Sequence, residues 1–317
     1  MDWFGTDTFL VLTRAIHFAT TTITAGTLVF RIAIARPVLR SEEAAAKAFR
    51  MQTGRVLWVG LAAAVISGAI WFALEAVSMS GLPLNEAISA ETLSTVLSET
   101  QFGQVTEVRA GFAVVLAACL IYDRVAAADW LTVVAALCLT ATLAWTGHAG
   151  STLGAEGNLH LASDALHLVA AAAWIGGLVS LILLFAAVRR TDAWALLALD
   201  AARRFSFLGI VSVVALVATG AINAWILVGS LHALVVTDYG RVLMLKLAIF
   251  VMMLTLAAVN RFRLTPRLAI GRSEAAQSES LDQLTWNSAT ETVLGLAIFT
   301  IVGLLGTMHP AIHLVSH

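Results

Sequence analysis

The chain has 317 residues, 59% hydrophobic and 12% charged, with a formal net charge of −1 and a mean hydropathy of +0.88. That balance excludes a water-soluble globular domain and offers no basic surface to a nucleic acid. Repeated apolar runs of about 20 residues instead predict an all-α polytopic membrane protein whose partner is the lipid bilayer, because helices satisfy their own backbone groups there.

Hydropathy predicts eight transmembrane helices, near residues 9–33, 56–78, 105–122, 130–147, 161–188, 205–229, 242–261 and 289–308. The start, MDWFGTDTFL, has neither a basic n-region nor a small-residue cleavage site, so the first run is expected to stay as a span. Arg36, Arg40, Lys47, Arg50 and Arg55 follow the first span, and Arg124 follows the third. Arg189, Arg190, Arg203 and Arg204 follow the fifth; Arg261, Arg263, Arg267 and Arg272 follow the seventh. The opposite segments, 79–104, 148–160 and 230–240, contain no Lys or Arg. The positive-inside rule therefore puts both termini outside, on the periplasmic side of a bacterial inner membrane.

Arg14, Arg109, Arg241 and Lys246 lie near outer span ends, either snorkelling to headgroups (the expectation for Arg14 and Arg241) or offsetting Glu75, Glu107 or Asp164. The acidic 79–104 segment is expected to carry a short surface helix after Ser89. Cys119 and Cys138 fall inside apolar runs and read as packing residues.

All eight histidines fall on the outer side: His148, His160, His232, His313 and His317 in loops or tail, and His309 at the end of the eighth span. His17 and His167 sit about 10 Å inside by helix rise. Histidine is the commonest transition-metal ligand, and Met79, Met244 and Met308 lie at the same face. The most informative run is Gly157 to Leu178, GNLHLASDALHLVAAAAWIGGL. Spacings of four and three put His160, Asp164 and His167 on one helical face. An acid and two imidazoles are costly inside a span, which points to function, with local pairing and headgroup contact as the plainer alternative.

The halves echo each other. His17 and His167 are each followed nine residues later by glycine, Gly26 and Gly176. Ser67-Gly68-Ala69-Ile70 matches Thr219-Gly220-Ala221-Ile222, and Thr100-x-Phe102-Gly103 with Arg109 matches Thr237-x-Tyr239-Gly240 with Lys246. Span four ends at His148 and span eight at His309. The prediction is two parallel four-helix repeats in one membrane domain, 1–150 and 151–317, with His17 and His167 as pseudo-symmetric partners.

Several of these residues resemble the copper resistance protein D (CopD) family. They are Gly147-His148-Ala149, Asp164-x-x-His167 with Ala173-Trp174-Ile175-Gly176-Gly177, Thr219 to Trp225, Tyr239-Gly240-Arg241 with Lys246, Asn260 to Leu268, and Pro310-x-x-His313. The resemblance is clearest from about 145 to 313. It implies an eight-helix inner-membrane protein that carries copper from periplasm to cytoplasm, often with a small periplasmic CopC-like copper-binding partner. No CopC-like β-domain is expected within this chain.

The side-chain chemistry agrees, since His and Asp suit Cu(II) while Met and His suit Cu(I). The expected outward-facing copper site uses His17, His167 and Asp164, with His148, His160, Met308, His309 and His313 as an entrance or second cluster. The alternative is a haem b redox protein with His17 and His167 as axial ligands, small residues such as Gly26 and Gly176 leaving room for the porphyrin. The chain lacks a GxxxxGK[ST] phosphate loop, so the expected role is a copper transporter rather than an ATP-driven pump or an enzyme.

Overall fold

Eight helices are long and apolar enough to cross a membrane in this computed structural model, which describes residues 6–122, 126–152 and 154–313. They are Thr8–Val38, Glu43–Ser80, Gln101–Ile121, Asp129–Thr146, Gly154–Val188, Trp194–Val228, Asp238–Ile270 and Glu274–Leu305. Among the described residues there is no strand. The eight predicted spans are all present, but the second, sixth and eighth begin several turns earlier than hydropathy places them. Lys47, Arg50, Arg55, Arg203 and Arg204 therefore stand on helices, not in loops. Runs such as Glu43-Ala-Ala-Ala-Lys47 are good helix formers, so the backbone ladder continues past the apolar boundary until a real start or stop signal. Ser273 supplies one such signal by capping Ala276 N–H. Gly81 and Gly229 supply the stops, with φ of 64° and 72°, a left-handed conformation that glycine adopts without steric penalty. The expected surface helix is Ala90–Glu99, with the Ser89 hydroxyl accepting from Thr92 N–H.

Successive spans run antiparallel. His17, early in the first span, meets Ser67, late in the second; His167, early in the fifth, meets Thr219, late in the sixth. One end of the bundle thus gathers the described histidines, and the other gathers the arginine-rich connections. We call them the histidine end and the arginine end.

The first and fifth spans form the centre. In each, 67% of the most apolar window is buried, against 6% in the seventh, which faces outward. They can cross closely because Gly26 meets Gly176. A β-carbon on Gly26 would overlap the Ala172 carbonyl, and one on Gly176 would sit 2.8 Å from Gly26 Cα. Small residues at helix crossings let backbones approach where lipid provides no hydrophobic drive. The sixth span packs Phe205 onto Gly177, and the eighth packs Gly303 onto the Val11 carbonyl. Val59, Val114, Leu196, Phe207 and Trp286 are exposed around the bundle, as a lipid-facing surface requires.

Two π-helical turns interrupt the ladder near the arginine end, Arg31–Ala35 and Asn260–Leu264. Each precedes a proline, Pro37 or Pro266. Proline has no N–H and its ring crowds the carbonyl four residues back, so a widened turn relieves both problems.

The crossing sets a prediction. Gly26→Leu should destabilise the protein by about 3 kcal/mol or more, as overpacking against backbone does. Thermal unfolding in detergent, followed by tryptophan fluorescence, should show a lowered midpoint. Gly111→Leu, where an added β-carbon meets nothing within 4 Å, should leave it unchanged.

Candidate functional site

Helix geometry already separates the two inner histidines. Nine residues at 100° each make two and a half turns, so His17 faces away from Gly26 and His167 away from Gly176. Because those glycines form the crossing, the imidazoles point outward from the central pair into different halves of the bundle.

His17 is 5% exposed and lies against the second span. The Ser67 hydroxyl donates to Ala63 O at 2.6 Å, so its proton is committed. His17 Nδ1 must then be the donor to Ala64 O (2.9 Å) and Ser67 Oγ (3.0 Å), which leaves Nε2 with a lone pair. Arg109 from the third span takes that lone pair, with Nη2 2.6 Å from Nε2. Its other nitrogen donates to Leu139 O at 2.9 Å and Thr142 Oγ1 at 3.1 Å. Among the described residues no carboxylate pairs with Arg109, so a positive charge stands beside His17.

His167 has the same tautomer for the same reason. The Thr219 hydroxyl donates to Ala215 O at 2.6 Å, so His167 Nδ1–H donates to Thr219 Oγ1 at 2.9 Å. Among the described residues Nε2 here has no hydrogen-bond partner, so its lone pair is open to a ligand. Asp164, one turn earlier, accepts from Asn223 Nδ2 at 3.1 Å. The Asn223 Oδ1 is buried without a partner. Lys246 from the seventh span is within electrostatic reach of Asp164 and His167 but closes no ion pair with Asp164.

The two environments share several residue spacings, with opposite charge at one position and a cation, Arg109 or Lys246, near both histidines. Arg14 stands three residues before His17, as Asp164 stands before His167. Arg14 lies over the Trp71 ring at 4.8 Å, and Trp71 follows Ser67 by four residues as Asn223 follows Thr219. Arg14 is 5% exposed and reaches Glu75 at 3.7 Å, so it is buried in the bundle and does not snorkel to the surface. Arg241, in contrast, is exposed and reaches Asp238.

Above the second half, His148 donates from Nε2 to Met308 O at 3.0 Å and stands edge-on to Tyr239. His160, 1% exposed, donates from Nδ1 to Thr152 Oγ1 at 3.0 Å, because the Thr152 hydroxyl is committed to His148 O. His148 and His160 are within electrostatic reach of each other. Of the expected entrance residues, then, His148, His160 and Met308 come together, Met308 through its carbonyl. His309 is exposed, and His313 contributes only its backbone to the description, in the short helix Ala311–His313. His317 lies outside the described residues. Among those described, no three of His, Cys, Asp and Glu converge at metal-holding distances.

A haem with His17 and His167 as axial ligands does not fit. The rings face different helices, and Arg109 holds the ligating nitrogen of His17. Sequence reasoning underrated Asn223 and the charge inversion at Arg14. Both were visible as motif neighbours, but their roles depend on which residue each meets across the bundle.

Two family models match successive parts of the chain, copper resistance protein D-like N-terminal domain over residues 5–158 and copper resistance protein D over 199–305. Inner membrane protein YebZ of Escherichia coli (strain K12) is 32% identical over 168 residues, 53% of this chain and 55% of that protein. Copper resistance protein D of Pseudomonas syringae pv. tomato is 32% identical over 177 residues, 54% of this chain and 56% of that protein. Copper transport protein CutJ of Bacillus subtilis (strain 168) is 26% identical over 297 residues, 90% of this chain and 51% of that protein. The chain spans about half the length of these curated relatives, and no solved structure matches it. One model covers the first four spans and the other the last three, and on that ground the chain belongs to the copper resistance protein D family.

Proposed function

We propose that this protein takes up copper at the histidine end, in the inner membrane, and passes it toward the arginine end as part of copper homeostasis. In this reading the termini and the histidine end face the periplasm, and residues 1–150 and 151–317 are parallel repeats. The observation that carries it is the open Nε2 of His167, on the helical face that it shares with Asp164, together with the orphaned Asn223 Oδ1. Nitrogen and carboxylate oxygen suit Cu(II), and the imidazole also accepts Cu(I). Second-sphere support is present, since Thr219 fixes the His167 tautomer and Asn223 holds Asp164.

His148, His160 and Met308 form the approach, with His309 and His313 further out. The donors are spread along the fifth span and its neighbours, an arrangement suited to passing an ion between weak sites. The first half has the opposite role. Arg109 occupies the lone pair of His17, so His17 orients the Arg109 guanidinium and copper follows the second half, where Asp164 offsets the charge of Lys246. The names of the relatives support the cargo, a copper transport protein and a copper resistance protein among them. A separate periplasmic CopC-like protein would hand over the metal.

Two predictions follow from this asymmetry. Purified protein loaded with copper and desalted should retain copper by mass spectrometry. His167→Ala should lower copper affinity at least about tenfold, and Thr219→Val by a similar factor through loss of tautomer control. His17→Ala should retain wild-type copper. Equal loss in the His17 and His167 variants would overturn the assignment to one half, and stoichiometric iron would revive a haem. In sealed proteoliposomes, copper should enter with wild-type protein and not with Asp164→Asn/His167→Ala. Wild-type vesicles that bind copper without admitting it would reduce the protein to a copper-docking subunit.

A further inference from the structure

A second polar cluster lies on the arginine side of the glycine crossing, away from the histidines. Glu291 of the eighth span is 1% exposed. Asn260 Nδ2 donates to its Oε1 at 2.7 Å, and Asn287 Nδ2 donates to Asn260 Oδ1 at 2.9 Å. Trp174 of the fifth span lies near the Glu291 carboxyl and lines the same cavity. Trp174 is two residues from Gly176, so Glu291 is near the middle of the bundle. Asn260 opens the π-helical turn Asn260–Leu264, and its carbonyl accepts from Thr265 Oγ1 at 2.8 Å. Turns of this kind recur at functional positions.

A cavity of about 260 Å³ runs from Glu291, Asn260 and Ser288 to Arg261 and Thr265 at the arginine end, between the sixth and seventh spans. Arg261 is the other charged residue lining it, and its guanidinium is turned to Ser206 Oγ at 2.6 Å and lies by the Phe262 ring at 5.6 Å. The fifth span brings Asp164 and His167 only at the histidine half. The first span, also packed on the eighth, brings Arg14, His17 and Arg31. None of these, nor any other described residue, forms an ion pair with Glu291. A carboxylate buried at membrane depth without a cation is costly, and a bound proton removes that cost.

We propose that Glu291 is a proton-binding site, which exchanges its proton with the arginine end along this cavity as a cation traverses the bundle. Asn260 holds the carboxyl in place, and Asn287 fixes the Asn260 amide. The bound species is a proton in the resting protein, and no bond other than the carboxyl O–H forms or breaks. Coupling to a cation rests on the copper reading above, whereas proton binding itself does not.

Infrared difference spectroscopy of the reconstituted protein tests the binding. A deuterium-sensitive carboxylic-acid C=O band should be present at neutral pH in wild type, absent in Glu291→Gln and retained, shifted, in Glu291→Asp. An unchanged band in Glu291→Gln overturns the proposal. The coupling is read in proteoliposomes containing a lumenal pH dye. A copper pulse should change lumenal pH with wild type, and Glu291→Gln should abolish that change while leaving copper retention by the purified protein at wild-type level. Copper entry with the pH change intact in Glu291→Gln overturns the coupling. If wild-type vesicles admit no copper, the transport reading falls and the coupling with it, and the infrared band alone decides whether Glu291 holds the proton.

Discussion

The close approach of Gly26 and Gly176 governs this bundle. Lipid chains are as apolar as leucine, so helices in a membrane gain little from hiding apolar side chains from their surroundings. What brings the first and fifth spans together is dispersion between backbones, available only where no β-carbon intervenes. The remaining spans then arrange around that pair. Because each histidine is two and a half turns from its glycine, the same contact that joins the helices directs the imidazoles outward. The central contact thus divides the histidine end into two chambers.

The chambers are built alike and charged differently. In both, a hydroxyl whose proton is committed to its own helix makes histidine donate from Nδ1. In one, Arg109 consumes the free nitrogen; in the other, the nitrogen stays open among the described residues, with Asp164 one turn away on the same helix. At low dielectric a guanidinium close to an imidazole is a strong barrier to any further cation. Two sites with the same histidine tautomer can in this way differ in whether the second ring nitrogen is taken. The fixed charges are set by single residues, Arg14 against Asp164, at equivalent positions.

The membrane also explains why the polar groups come in small, linked sets. Arg14 has Glu75 and the Trp71 ring, Arg109 has Leu139 O, Thr142 and His17, and Glu291 has Asn260. Each set gives partners to a group that would otherwise be stranded without water, although the Arg14 Nε stays unpaired among the described residues. The outer sets lie near the histidine end and the Glu291 set nearer the arginine end, so polar stations are present in both halves of the bundle's depth.

The amino-acid order by itself determined much of this. Apolar runs gave eight spans, because bilayer thickness imposes a length that hydropathy detects. The four-and-three spacing of His160, Asp164 and His167, and the nine-residue steps to Gly26 and Gly176, were legible because helical pitch is fixed. The true helix starts were not, since the ladder continues through polar residues that end a hydropathy run. Glu291, placed by hydropathy at the edge of a span, is the eighteenth residue of its helix and deeply buried. Nor could sequence show that Arg109 bonds to His17 while Lys246, at the matching position, leaves His167 open. Helical periodicity fixes which residues share a face, but only the packing of the helices decides which faces meet, and with them which lone pair is taken and which is free.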